Sequence, residues 1–247
     1  MTASSGEAQT VVAARRLRDA RSVFIGVGRP STAALLSKMV HNPGLVLVYE
    51  SGTIGAKPHR IPLSIGDGEL AETADAVVSV PEMFNYWIGP GRIDVAFLGA
   101  AQVDRFANLN STVIGDYDAP RTRLPGAGGA PEIAASCGEV VVVAQHSRRT
   151  FVDKLDFMTT VGHGNGRGDR ERLGFRGRGP TAVITDLGVL EPDADTLELT
   201  LTQVHAGVSA DDVREATGWE LRVAPEVAVI EPPTSEELEA LRELVAR

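Results

Sequence analysis

A glutamate stands where a strand ought to end. In Leu45-Val46-Leu47-Val48-Tyr49-Glu50-Ser51-Gly52 an apolar run stops at a carboxylate and then meets a glycine. A strand of this kind delivers Glu50 to its carboxyl edge, where open α/β sheets bind their ligands. Gly52 permits a sharp turn and the close approach of a substrate. A carboxylate so placed can serve as general base, metal ligand or covalent nucleophile. The stretch alone leaves all three roles open.

A second stretch, Leu124-Pro125-Gly126-Ala127-Gly128-Gly129-Ala130-Pro131-Glu132, runs three glycines into a helix start. Proline in a first helical turn removes an N–H that has no intrahelical partner. Glycines let backbone N–H groups converge, and a helix N-terminus favours negative charge. The loop therefore suits a phosphate or a developing oxyanion, although a purely structural turn would read the same. A third stretch, Ile93 to Asp104, opens from a buried strand into Gly99-Ala100-Ala101 and then Gln102. Small residues there leave room for a ligand or for another backbone, and Asn108 and Asn110 beyond it suit turns.

Other motifs say less. Gly26-Val27-Gly28 lacks the third glycine of a dinucleotide fingerprint; Ser31 stands there and Pro30 intrudes. The Arg- and Gly-rich segment from Gly162 to Pro180 reads as a solvated surface loop, with a mobile basic loop near an anionic ligand as the alternative. His41, His59, His146, His163 and His205 show no metal-ligand spacing, and only Cys137 could join them, so no metal site is expected. No Gly-x-Ser-x-Gly elbow is present.

Elements that would position these groups follow from periodicity and caps. Helices are predicted over 9–20, 30–41, 130–136, 211–217 and 234–246, with a further helix opening at Asp67. Strands are predicted over 22–27, 45–49, 93–98, 111–115, 140–144, 182–186 and 197–203. Their alternation implies an open, largely parallel α/β sheet with helices on both faces, in one domain over 1–247. The stretch from Thr181 to Val223 reads as a less regular second half. With 247 residues, 43% of them hydrophobic, the chain can bury a core without a disulfide or metal. Its lone cysteine, Cys137, reads as a core residue in a reducing compartment. A net charge of −9 and 5% aromatics argue against nucleic acid. No apolar run is long enough for a membrane span, and the polar stretch from Thr2 to Glu7 lacks a signal-peptide pattern, so a cytoplasmic protein is expected.

Taken together, Tyr49 to Gly52, Pro62 to Asp67, Leu98 to Asp104 and Leu124 to Pro131 occur in the order seen in family I CoA-transferase B subunits. The likeness continues through Phe151 to Phe157 and Val161 to Gly164 to Ala216-Thr217-Gly218-Trp219, nearly the whole chain. This resemblance implies the open α/β fold shared with sugar-phosphate isomerases. It implies Glu50 as nucleophile, forming a glutamyl-CoA thioester, with the backbone N–H groups of Gly129 and Ala130 as oxyanion donors. Ser51, Gly52, Gly126, Gly128 and Gln102 become candidate contacts to substrate or CoA. The resemblance implies succinyl-CoA as donor and 3-oxoadipate as acceptor, in the degradation of aromatic compounds. It implies no bound cofactor, since the CoA thioester is the substrate, and an A-type partner chain in an α2β2 assembly. Lys57, Arg60, Arg149 and Lys154 are the cations considered for a remote carboxylate. The competing readings are a glutaconate-type or other dicarboxylate CoA-transferase, a CoA-thioester hydrolase with Glu50 as base, and a ligand-sensing domain on the same fold.

Overall fold

A computed structural model describes residues 3–26 and 28–246, so Val27, the end of the first expected strand, lies outside it. Helix α1 (Ser5–Arg15) opens on a capping box: the Ser4 side chain accepts from the Glu7 N–H and Glu7 returns a carboxylate to the Ser4 N–H. This reciprocal cap starts the helix four residues earlier than apolar spacing suggests. Strand β1 (Ser22–Ile25) leads to α2 (Arg29–Val40), with Pro30 in its first turn, and then β2 (Val46–Tyr49). Beyond β2 the chain folds back as β3 (Thr53–Ile54), makes α3 (Gly68–Glu72) under the Asp67 cap, and adds β4 (Ala76–Val77). A helical stretch follows, α4 (Val80–Glu82) running into a π-helical turn over Met83–Ile88.

Strand β5 (Val95–Leu98) returns to the sheet. Two small antiparallel ribbons come next, β6 (Gln102–Val103) with β7 (Leu109–Asn110), and β8 (Val113–Gly115) with β9 (Pro120–Arg123). Helix α5 (Ala130–Ser136) and β10 (Glu139–Val143) lie close to their expected bounds. After α6 (Asp169–Arg172) come β11 (Pro180–Ile184), β12 (Gly188–Pro192), β13 (Leu199–Val204), α7 (Ala210–Glu215), β14 (Arg222–Val229) and α8 (Ser235–Ala246).

The main sheet runs β14-β13-β12-β11-β10-β5-β1-β2-β3-β4. Its centre, β11 to β2, is wholly parallel, and antiparallel pairs flank it at β11–β12–β13 and β2–β3–β4. The strand-rich stretch from Thr181 to Val223, expected as a less regular second half, joins the same sheet through the antiparallel pairs β11–β12–β13 and the parallel pair β13–β14, with register shifts at Val189/Leu190 and Leu201/Gln203.

Alternation along the central strands sends side chains into two cores. Phe24, Val48, Ala96, Leu98, Val140 and Val142 meet α5 and the π-helical turn through Ile133, Ala134, Met83 and Ile88. Val23, Ile25, Leu47, Tyr49, Val95, Phe97 and Val141 meet α1, α2 and α8 through Val11, Leu36 and Leu241. Each such large side chain, once buried, contributes about 1.5–3 kcal/mol. Helices therefore cover both faces. The strand order reverses between β1 and β5: β2 lies on one side of β1 and β5 on the other. That crevice is where an open sheet of this kind leaves space at its carboxyl edge.

The Arg-rich segment is largely the surface loop that its composition suggests, with Arg167, Arg172, Arg176 and Arg178 exposed, but one of its arginines turns inward. Arg170 on α6 is 5% exposed. Its guanidinium donates to the carbonyls of Gly162 and Ala134, each at 2.8 Å, and of Gly177 at 2.9 Å. Three converging carbonyls hold the charge inside, so this segment folds around its arginine. Asn108 and Asn110 likewise do more than turn the chain. Buried Asn108 accepts from the N–H groups of Gly162 and Gly164, tying the β6–β7 ribbon to the same segment.

Candidate active site

Glu50 follows the last residue of β2 directly. Glu50 and Ser51 are the central pair of a tight turn, closed by the Gly52 N–H donating to the Tyr49 carbonyl at 3.0 Å. Gly52 has φ +99, and a Cβ there would lie on the Val78 carbonyl. Only glycine satisfies both the backbone and the contact. Tyr49 anchors the other side of the turn. Its ring is fully buried, and its hydroxyl lies 3.2 Å from Ser31 Oγ on α2. Burial pushes that phenol up to about 12, so it stays protonated.

The glycine-rich loop meets this carboxylate from the far side of the crevice. Gly126 is fixed to Ser111, its N–H donating to the Ser111 carbonyl and its carbonyl accepting from Ser111 Oγ, both at 2.8 Å. Gly128 then passes close enough that a Cβ there would lie 3.8 Å from Glu50 Oε1. The Gly129 N–H donates to Glu50 Oε1 at 3.1 Å, across 79 residues of sequence.

Both groups open into a cavity of about 610 Å³. Phe24 and Gly26 line it at the end of β1, Phe97 to Ala100 at the end of β5, and Val143 to Gln145 at the end of β10. Pro125 to Ala130 close it on the loop side, and Gln9, Arg29 and Pro30 close it at the helices. The cavity thus straddles the reversal of strand order.

Two expectations need correction. The Ala130 N–H is not aimed at Glu50; it donates to the Ala127 carbonyl at 3.0 Å, because the chain is already turning into α5. Gln102 does not line the cavity. It is buried on the β6–β7 ribbon, where Nε2 donates to Asp156 at 3.0 Å and Oε1 accepts from Asn110 at 2.7 Å. Ser51 and Gly52 shape the turn without lining the cavity, whereas Gly126 and Gly128 do line it.

The cations weighed for a remote carboxylate lie elsewhere. Lys57 pairs with Asp75, Arg60 pairs with Asp67 and Glu69, and exposed Arg149 and Lys154 do not reach the cavity. Arg29 and Gln9, which do line it, carry no motif that marks them in the sequence. Gln9 falls within the first predicted helix, but nothing in the sequence says that it is buried, as it is on α1.

The remaining reactive side chains are structural. Burial pushes the Cys137 thiol up to about 12, which suppresses the thiolate. Burial lowers His146 to about 4, and its ring, stacked on Phe151 at 3.9 Å, sits between the hydroxyls of Thr185 and Thr217. Among the described residues no group of three or more His, Cys, Asp or Glu could hold a metal, and no helix is long and apolar enough to cross a membrane.

Residues 7–216 match the Coenzyme A transferase family. The chain belongs to that family. As a CoA-transferase it acts on CoA thioesters. It is 58% identical over 244 residues to the B subunit of 3-oxoadipate CoA-transferase from Pseudomonas knackmussii, covering 99% of this chain and 94% of that protein. The crystal structure of glutaconate coenzyme A-transferase from Acidaminococcus fermentans superposes with a TM-score of 0.93 at 33% identity, covering 98% of this chain and 95% of that one. A more distant relative, the cholesterol ring-cleaving hydrolase IpdB subunit of Rhodococcus jostii, is 29% identical over 206 residues, 78% of this chain and 80% of its own length.

Proposed function

We propose that this chain is the B subunit of a CoA-transferase that moves CoA from succinyl-CoA to 3-oxoadipate through a glutamyl-CoA thioester on Glu50. The observation that carries the mechanism is the 3.1 Å hydrogen bond from the Gly129 N–H to Glu50 Oε1 inside the switch-point cavity. The acid pair rests on the 58% identity, nearly end to end, with the corresponding chain of the 3-oxoadipate enzyme.

The Glu50 carboxylate attacks the succinyl-CoA carbonyl. The C–S bond breaks, CoA leaves as thiolate, and a mixed anhydride joins Glu50 to succinate. The thiolate then attacks the glutamyl carbon, expelling succinate and leaving CoA on Glu50. 3-Oxoadipate attacks that thioester and regenerates an anhydride and the thiolate. Attack of the thiolate on the 3-oxoadipyl carbonyl releases product and frees Glu50. Each step exchanges one activated carboxyl for another of similar energy, so no external driving force is required.

Gly129 has a specific place in this scheme. When thiolate attacks the glutamyl carbon, the oxyanion develops on an oxygen of Glu50 itself. Oε1 already receives the Gly129 N–H, so the donor stands at that position before charge builds there. Losing such a donor typically costs about 3 kcal/mol of transition-state stabilisation.

The reactive thioester and anhydride must be shielded from water. We assign that shielding to an A-type partner chain in an α2β2 assembly. The segment from Leu63 to Tyr86 leaves Leu63, Val77, Val80 and Tyr86 exposed, and it is tied to the Glu50 turn by the Val78 N–H, which donates to the Gly52 carbonyl at 2.9 Å. The net charge of −9 and the lone cysteine are in keeping with a cytoplasmic enzyme.

Peptide mass spectrometry of the two-chain complex, given succinyl-CoA without acceptor, tests the proposal. A CoA adduct on the Glu50 peptide, absent in Glu50→Ala and discharged by 3-oxoadipate, is expected. Thioester consumption with water as acceptor and no adduct would replace transfer by hydrolysis, with Glu50 as base.

A further inference from the structure

The cavity lining holds only two charged side chains among the described residues, Glu50 and Arg29. Glu50 has its place in the transfer scheme. Arg29 has none there, and its setting is built. Its guanidinium donates to Gln9 Oε1. Gln9 is fully buried, and its Nε2 donates to the Ala144 carbonyl at 2.8 Å and the Ile184 carbonyl at 3.0 Å. Those carbonyls lie just beyond β10 and at the end of β11, so the amide can turn only its oxygen towards Arg29. One N–H of the guanidinium is thereby anchored to the sheet edge. No carboxylate among the described residues pairs with it. A guanidinium keeps its charge at any working pH.

The start of α2 adds to the same field. Its N-cap, Gly28, has no side chain to satisfy the first N–H groups, and no acidic residue stands in the first turn. The positive end of the helix dipole is therefore left without a neutralising partner beside Arg29. The Tyr49–Ser31 contact at 3.2 Å fastens this helix start to the last residue of β2, next to Glu50. A positive end and a nucleophilic carboxylate thus face one cavity from two elements locked together.

From this geometry we infer that Arg29, held by Gln9, recognises the remote carboxylate of a dicarboxylic acyl group whose other carboxyl is activated at Glu50. This rests on the CoA-transfer reading above and adds to it the residue that reads the acid. A planar guanidinium matches a carboxylate through paired N–H groups, and one N–H committed to Gln9 leaves the others for the ligand. A monocarboxylic acyl chain of equal length would leave the arginine unpaired in the closed site, so the pair discriminates in both directions.

The test uses the complex with its A-type partner and compares two substrate pairs. One is succinyl-CoA with 3-oxoadipate; the other is butyryl-CoA with 3-oxohexanoate, in which a methyl replaces the remote carboxylate. Arg29 is exposed in the single chain; with the A-type partner closing the site, Arg29→Met should lower kcat/KM for the dicarboxylate pair at least roughly 30-fold more than for the monocarboxylate pair, as loss of one partner of an ion pair shut off from water does. Gln9→Leu, which frees the guanidinium from its anchor, should lower the same ratio to a smaller degree. A loss equal for both pairs would overturn the assignment, since it would place Arg29 on the CoA moiety or in the fold. No loss for either pair would overturn it too. If the wild-type complex forms no CoA adduct on Glu50, the transfer reading has failed. If the wild-type adduct forms and discrimination survives Arg29→Met, only the Arg29 inference has failed.

Discussion

Gly129 carries a prediction that separates backbone geometry from side-chain chemistry. Its φ is −87 and ψ is 1, so alanine would suffer no backbone strain there. The obstacle is space. A Cβ at Gly129 would lie 2.7 Å from Phe84 Cε1 and 3.1 Å from Glu50 Oε1. Phe84 is itself held edge-on against Phe24, with ring centroids 6.5 Å apart. Either the ring moves or the 129–130 backbone retreats from Glu50, and retreat lengthens the 3.1 Å hydrogen bond. A hydrogen bond to a charged group is worth about 1.5–3 kcal/mol, so Gly129→Ala should reduce kcat/KM roughly 10- to 150-fold. Overpacking should cost about 1–3 kcal/mol of stability besides. The assay is steady-state transfer by the complex together with single-turnover formation of the Glu50–CoA adduct. Phe84→Ala in the same chain removes the clash and should restore part of the lost rate. Gly129→Ala whose own structure shows the contact with Glu50 lengthened, yet with activity within about threefold of wild type and adduct formation at an unchanged rate, would refute the placement of this N–H at the reacting oxygen.

Other perturbations act on the frame around the site. Arg170→Met strands three inward-facing carbonyls and should cost about 2–4 kcal/mol, lowering Tm by about 5–15 °C. Arg170→Lys should rescue little, since one ammonium cannot span the three carbonyls; a Tm change under about 2 °C in a thermal melt would contradict that role. Glu237 is buried, which opposes its charge, but the Arg15 guanidinium at 2.7 Å and the Thr234 N–H at 2.8 Å outweigh burial and hold its carboxyl at about 2 instead of 4.5. Its contribution is present above pH 4.5 and is lost as pH falls through about 2. Acid unfolding followed by circular dichroism should therefore show wild type losing about 3 kcal/mol over that window relative to Glu237→Gln. Parallel curves would show that the pair contributes nothing. Gly52→Ala combines a φ of +99 with a collision on the Val78 carbonyl, so the Glu50 turn must rearrange. Transfer should fall more than roughly tenfold, and unchanged kinetics would mean that the turn tolerates a Cβ.

Local chemistry was legible along the chain, and long-range pairing was not. The apolar run before Glu50 dictated a strand, and Gly52 dictated the turn after it, because both follow from neighbouring φ and ψ preferences. Asp67 caps its helix through the Glu69 N–H at 3.2 Å, and α5 occupies Ala130–Ser136, because caps and first-turn proline act within a few residues. Burial of Arg170 had no local signal: its acceptors belong to Gly162, Ala134 and Gly177, brought together only when the segment closes on α5. Composition therefore marked it as a surface cation. Ala130 and Gln102 misled for a related reason. A sequence names donors but does not say which are already occupied, and these are held by Ala127, Asp156 and Asn110. By itself the sequence determined that a carboxylate ends a strand, that a glycine-rich loop opens a helix, and that the chain resembles CoA-transferase B subunits. Only the tertiary structure decided that Gly129 reaches Glu50 across 79 residues and that Arg29 enters the same cavity. Strand order places those groups side by side, and strand order is set by the packing of two cores rather than by any residue's neighbours along the chain.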